Sequence, residues 1–309
     1  MLNEKVLKKI SGIIPSDRLM RDEPMSRHTS FRIGGPAALF VQVNNEEELA
    51  GVLAALNKEQ AEFIIAGNGS NLLVSDEGYP GVIVKLGGDF EEIAVDAENE
   101  CIVTAGAAKI LSSVSAFLTE RGLSGFEFAS GIPGSIGGAV FMNAGAYGGE
   151  IKDIAKSVRL MDISCGAAYD VSAKDMKFGY RMSRAQTGDV VILSVTLELK
   201  EDDPAAIAER VAELAAKRNA KQPVNYPSAG STFKRPVGGY AAALIEEAGL
   251  KGYRAGGACV SEKHAGFVIN YEGASCEDVL NVMRHVREMV YEKSGIMLEP
   301  EVRLINCSL

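Results

Sequence analysis

Chemistry in this sequence is concentrated where glycine, serine and asparagine crowd together. The longest such stretch, Glu127–Ile151, sets Gly131, Gly134, Gly137 and Gly138 in one phase, with Ser135 and Asn143 as its small polar groups. An ordered glycine costs chain entropy, so a run of them needs a local reason. Backbone N–H groups that turn inward together form a concavity for an anionic group such as a phosphate. A solvated Gly/Ser linker is the bland alternative, but Phe128, Ile132, Ile136, Val140, Phe141 and Met142 are threaded between the glycines. That interleaving implies a packed loop with exposed backbone. A second block, Gly67-Asn68-Gly69-Ser70-Asn71, is by itself as good a tight turn as a ligand loop; beside the longer cradle it reads as a phosphate site. Neither block has the Rossmann G-x-G-x-x-G setting or the G-x-x-x-x-G-K-[ST] loop, so a dinucleotide would need another scaffold.

Three other residues have the types an active site uses. Ser231 follows Gly230, which leaves its hydroxyl uncrowded; Arg181 lies in Gly-Tyr-Arg-Met-Ser; and Glu301 sits in the expected last strand, on one face with Glu299 and Arg303 by period-2 spacing. Taken alone they read as a turn residue and surface ion pairs, which are common and weak. Cys259 reads as a buried apolar filler and His264 as a hydrogen-bonded structural histidine.

The elements that position these groups alternate between helix and strand. Residues 38–43 read as a strand, Asn44 with Glu47 as a capping box, and Leu49, Val52, Leu53 and Leu56 as the inner stripe of the helix that follows. Phe63–Ala66 is a second strand that runs into the Gly67–Asn71 loop, completing a βαβ unit. Short strands are expected at 81–86, 92–95 and 101–105, and a helix at 108–121 that stops at Gly122. Beyond the glycine stretch, residues 158–163 and 191–199 alternate as half-buried strands of an antiparallel sheet. Asp202-Asp203-Pro204 starts a helix, Ser275 and Asp278 start another that ends at Gly295, and residues 296–305 read as the closing strand.

Bulk numbers bound the function. A chain of 309 residues can bury two or three domain cores. The net charge of −9 argues against nucleic acid as a partner, so an anionic substrate would be held by local Lys and Arg. No apolar run reaches the length that membrane insertion needs, and MLNEKVLKKI lacks a signal-peptide core. The five scattered cysteines contain no C-x-x-C, which reads as reduced thiols in a cytoplasmic protein with no metal site.

The glycine stretch resembles the flavin-binding signature of the UDP-N-acetylenolpyruvoylglucosamine reductases (UDP-N-acetylmuramate dehydrogenases). The likeness extends in order through HTSFRIGGPA at 28–37, GNGSNLL at 67–73, FGYRMS at 178–183, AGSTFK at 229–234, KHAGFVIN at 263–270 and LEPEVR at 298–303. Each block is weak alone; together they span nearly the whole chain.

The resemblance implies an α+β chain: an FAD-binding fold of the p-cresol methylhydroxylase type in two subdomains, plus a smaller α+β substrate domain. The expected segments are 1–85, 86–199 and 200–309, with the closing strand able to return to the first. It implies noncovalent FAD held by Gly67, Asn68, Gly69, Ser70, Asn71, Gly131, Ile132, Pro133, Ser135, Gly137, Gly138, Asn143 and Ala144, with NADPH as hydride donor. The matching Ser231, Arg181 and Glu301 become the catalytic set. Tyr180, Lys221, Lys234 and Arg235 become candidates for a UDP-sugar substrate, with Arg235 a departure from the asparagine of some relatives. The interval 182–189 is too short for a substrate-capping loop, so the chain is similar to the type that lacks one. A monomer is expected. The other readings are an alcohol oxidase-like flavoenzyme of the same fold, or a flavin-binding protein without catalysis.

Overall fold

The computed structural model describes residues 4–309. Among them are seven α-helices: α1 (Glu4–Ile10), α2 (Glu46–Lys58), α3 (Leu111–Glu120), α4 (Ile136–Phe141), α5 (Pro204–Lys221), α6 (Ala241–Glu247) and α7 (Cys276–Ser294). The chain divides into two compact units. The first contains residues 1–21, 39–68 and 81–217, and the second 22–38, 69–80 and 218–309. This differs from three consecutive segments, because two short N-terminal stretches group with the C-terminal third.

In the first unit, an antiparallel sheet has the order Ala168–Ser172, Ala155–Asp162, Val190–Glu198, Ile102–Gly106, Ile93–Val95. In its longest strand Val191, Leu193, Val195 and Leu197 are buried and meet Val158, Leu160, Val114 and Ile136 in one continuous core. Val190 and Ile192 are buried too, so the expected alternation holds only from Ser194 on. The strand Phe63–Ala66 runs parallel to residues 82–85 of the strand Tyr79–Leu86, which separates it from the strand Pro36–Val43. The βαβ crossover therefore skips one position in the sheet. Helix α2 buries Leu49, Val52, Leu53 and Leu56, as its stripe predicts. Its cap lies one residue later than expected. The Asn45 side chain accepts from the Glu48 amide, while Glu48 accepts from the Asn44 amide at 2.8 Å and takes a bidentate ion pair from Arg18 at 2.7 Å. Helix α3 begins at Leu111 and not at 108, since Lys109 and Ile110 pair instead with the glycine stretch: Ile136 N–H donates to Lys109 C=O at 2.8 Å and Ile110 forms a bridge with Ser135.

The second unit is built around α7, whose Val279, Val282, Met283, Val286 and Val290 are buried beside Leu280, Ile245, Phe31 and Leu298. Ser275 and Asp278 form the expected capping box, and Gly295 closes the helix at φ +71°. A three-stranded antiparallel sheet, Arg254–Ala255, Ala258–Val260 and Val268–Asn270, completes this core. The expected closing strand is much shorter than 296–305. Only Arg303–Ile305 is a strand, and it runs parallel to Leu72–Val74. A bend at Val302 and a bridge from Pro300 to Phe233 precede it, so Glu299, Glu301 and Arg303 do not share one pleated face. Backbone partners other than a neighbouring strand decide where Glu301 goes.

No helix among the described residues is long and apolar enough to cross a membrane, and no cluster of His, Cys, Asp and Glu there could hold a metal ion.

Candidate active site

The glycine stretch folds as an ordered cradle in the first unit. Its loop is stitched down by Leu111 N–H to Gly134 C=O at 3.0 Å and by Gly137 N–H to Ala107 C=O at 2.8 Å. Ser135 precedes α4 but does not cap it. Its hydroxyl is buried without a hydrogen-bond partner, although buried polar groups are nearly always paired. Two glycines stand beside that oxygen. A Cβ at Gly67 would lie 2.7 Å from Ser135 Oγ and one at Gly138 3.6 Å from it. An orphaned hydroxyl next to bare backbone is what a phosphate-bearing cofactor needs, and Gly67, Ser135 and Gly138 fit that group. Gly137 has a packing reason as well: its Cβ would meet Ala107 Cβ at 2.9 Å.

Asn143 is buried in the left-handed region at φ +42° and uses its whole side chain within the protein. Nδ2 donates to Glu150 Oε2 at 2.8 Å and to Gly179 C=O at 2.9 Å, while Oδ1 accepts from Lys152 N–H at 3.0 Å. Only its backbone is left for a ligand. The Glu150 carboxyl is held below its usual range by the Lys152 ammonium, then by the Asn143 amide and the charge of Arg181.

Arg181 lies in a tight turn. Gly179 and Met182 exchange backbone hydrogen bonds at 3.0 and 3.2 Å, and Arg181 is left-handed at φ +53°. Such a φ is uncommon outside glycine, and persists where surrounding contacts enforce it. Its guanidinium lies 5.3 Å over the Tyr180 ring and reaches toward Gly145 C=O at 3.5 Å.

In the second unit, the Gly67–Asn71 loop continues through Gly69, at φ +62°, where a Cβ would fall 1.9 Å from His28 C=O. Only glycine fits there. Asn71 at the end of the loop donates from Nδ2 to Glu301 C=O at 3.1 Å and accepts from Arg303 N–H at 3.0 Å. Ser231 is exposed, between Gly230 at φ +76° with open space around it and the buried Thr232. Thr232 is the anchor: its N–H donates to Gly266 C=O at 2.9 Å, its Oγ1 accepts from Val268 N–H at 2.9 Å, and its C=O accepts from Glu301 N–H at 2.9 Å. Ser231 and Glu301 thus flank one backbone hydrogen bond. Sequence reading missed Thr232, whose only signal was a small polar residue next to Ser231.

The candidate substrate residues are more dispersed. Lys234 pairs with Glu299 at 3.3 Å, Arg235 lies 4.6 Å over the exposed Tyr240 ring, and Lys221 is exposed at the end of α5. His264 accepts from Gly266 N–H at 3.2 Å and packs edge-on against Phe267, and burial keeps its imidazole below the usual range. Burial pushes the Cys259 thiol up, which makes it a poor nucleophile.

Residues 37–172 match the family model for an FAD binding domain, and residues 222–305 match that for the UDP-N-acetylenolpyruvoylglucosamine reductase C-terminal domain. The chain is 45% identical over 306 residues to the UDP-N-acetylenolpyruvoylglucosamine reductase of Clostridioides difficile, covering 99% of each chain. The chain belongs to the UDP-N-acetylenolpyruvoylglucosamine reductase family. The reductase of Lachnoclostridium phytofermentans is 46% identical over 99% of this chain and 98% of its own. The crystal structure of the reductase from Thermus caldophilus superposes with a TM-score of 0.79 at 35% identity, covering 93% of this chain and 99% of that one. A UDP-N-acetylenolpyruvoylglucosamine reductase is a flavin-dependent oxidoreductase of peptidoglycan precursor synthesis, with FAD as cofactor and NADPH as hydride donor. The fold agrees: an FAD-binding part joined to a mixed α+β C-terminal domain.

Proposed function

We propose that this chain reduces the enolpyruvyl ether of UDP-N-acetylglucosamine to UDP-N-acetylmuramate, with Arg181, Ser231 and Glu301 as its catalytic residues. The observation that carries the residue assignment is the Thr232–Glu301 backbone hydrogen bond, which brings the chain at an exposed serine next to the chain at a glutamate. FAD held at Gly67, Ser135 and Gly138 and reduced by NADPH would supply the hydride that the β-carbon of the ether requires. The residues of the chain manage the charge that follows. Negative charge grows on the α-carbon and its carboxylate, and the planar Arg181 guanidinium is suited to those oxygens. Glu301 orients or polarises the group beside it. Ser231 gives its proton to the α-carbon; the hydroxyl is a weak acid in water, but so basic a carbon accepts from it when held within reach.

The cofactor phosphates take the Gly67–Asn71 loop and the segment 131–144, where the unpaired Ser135 hydroxyl supports the assignment. The Arg181 turn offers Tyr180 to the substrate, and Lys221, Lys234 and Arg235 are cations suited to its diphosphate. The enzyme acts in the cytoplasm as a monomer, with all five cysteines reduced; the described chain has no disulfide.

The test is the absorbance of the purified protein. It is expected to be yellow, to bleach on anaerobic NADPH, and to regain colour when the enolpyruvyl sugar nucleotide is added, with UDP-N-acetylmuramate as product. Recolouring by oxygen alone, with no turnover of the sugar nucleotide, would instead support an oxidase of the same fold.

A further inference from the structure

The Arg181 turn is fastened by a residue to which no role has been assigned. Gln186 lies in the short 3₁₀ segment Arg184–Thr187, and its side chain is exposed. Its Nε2 donates at 2.9 Å to Arg181 C=O and at 2.9 Å to Phe141 C=O, the last residue of α4. Ser183 Oγ donates to the same Phe141 carbonyl at 2.8 Å, and Asn143 Nδ2 holds Gly179 C=O from the other side of the turn. Arg181 is left-handed, and the N–H of the peptide that follows it, on Met182, is held by Gly179 C=O at 3.2 Å. The amide of Gln186 bridges that peptide to the end of α4, the helix that carries Gly137 and Gly138 of the glycine cradle. We infer that Gln186 is a positioning residue for Arg181, setting the guanidinium against the substrate carboxylate by tying the Arg181 carbonyl to the Phe141 carbonyl.

The inference rests on the proposed role of Arg181. Its two close acceptors are carbonyl oxygens and a third, Met142 Sδ, lies at 3.8 Å, so the side chain at 186 must donate. Gln186→Glu keeps the shape, removes both donors and sets a carboxylate against two carbonyls. Gln186→Met keeps the length without donors, and Gln186→Lys restores donation. A displacement near 1 Å can cost about 100-fold in a positioned reaction.

The experiment measures the two half-reactions by anaerobic stopped flow, together with calorimetric binding of UDP-N-acetylmuramate and the melting temperature. For Gln186→Glu and Gln186→Met, the expected result is reoxidation by the enolpyruvyl substrate slowed about 10- to 100-fold, weaker product binding, and unchanged NADPH bleaching and melting. Gln186→Lys is expected to recover most of the loss. In an Arg181→Ala background, Gln186→Glu is expected to add nothing further. Normal reoxidation in Gln186→Glu and Gln186→Met, while Arg181→Ala is slow, overturns the positioning role alone. Equal slowing of both half-reactions, a fall in melting temperature, or no recovery in Gln186→Lys also overturns it, leaving only a structural role. Normal reoxidation in Arg181→Ala overturns the role of Arg181 and this inference with it.

Discussion

The Glu301 amide donates to the Thr232 carbonyl at 2.9 Å, and with Lys234 N–H to Glu299 C=O at 2.8 Å this brings together two stretches of chain far apart in sequence. Thr232 is itself buried and makes three more hydrogen bonds, to Gly266, Val268 and Val302. Ser231 next to it is exposed, so the hydroxyl proposed as the proton donor stands beside a buried, hydrogen-bonded residue.

Thr232→Val tests that frame. The substitution keeps the shape and removes Oγ1, leaving the buried Val268 N–H without an acceptor. The cost is expected to be about 1–3 kcal/mol in unfolding free energy. Denaturant titration measures it; an unchanged midpoint with an unchanged slope would show that Thr232 Oγ1 does not support the frame.

Two neighbouring glycines are expected to separate folding from cofactor binding. Gly138 has only Ser135 Oγ near its missing Cβ, at 3.6 Å, so Gly138→Val is expected to fold but to purify colourless. At Gly137 a side chain meets Ala107 at 2.9 Å, and Gly137→Val is expected to lose stability as well as colour. Absorbance and thermal melting of the two proteins distinguish these outcomes. A yellow Gly138→Val with normal flavin content would remove that position from the cradle.

A pH dependence follows from the pair of Arg18 and Glu48. The Glu48 carboxyl is lowered chiefly by the hydrogen bond from Arg18, opposed by burial and aided by the Asn44 amide. A carboxyl lowered in the folded state adds stability above its unfolded pKa and loses it as pH falls through the folded value. Glu48→Gln is therefore expected to be less stable than wild type near pH 7, by about 1 kcal/mol for a pair that water partly screens. The difference is expected to close below about pH 4. A gap that stays constant from pH 7 to pH 3 would contradict the assignment.

Much of this was legible in sequence because local rules governed it. The stripe of α2 and the Ser275–Asp278 box of α7 are decided by neighbours in the chain and formed as expected, whereas the alternation at 191–199 gives way at residues 190–193, which are buried on both faces. The capping of α2 moved by one residue because Asn44 and Asn45 both qualify, and a contact with Arg18 selects the pairing that uses Glu48. The closing strand was misread because period 2 cannot reveal the bend at Val302, which tertiary contacts with Thr232 and Asn71 impose. Asn143 likewise suggests a ligand group by its type and its glycine neighbours, yet its side chain is consumed by Glu150, Lys152 and Gly179. The Ser135 hydroxyl is the reverse case: a serine before a helix reads as a cap, and the structure leaves it unpaired beside Gly67.

Ser231 is the proposed proton donor, and anaerobic half-reactions of Ser231→Ala test that role most directly. Bleaching by NADPH is expected at close to the wild-type rate, because that hydride transfer does not involve the α-carbon. Reoxidation by the enolpyruvyl sugar nucleotide is expected to slow by about 10²–10⁴-fold, the usual contribution of a positioned general acid. Reoxidation at the wild-type rate would contradict the account, and Ser231 would then be only the residue that follows a glycine in a turn.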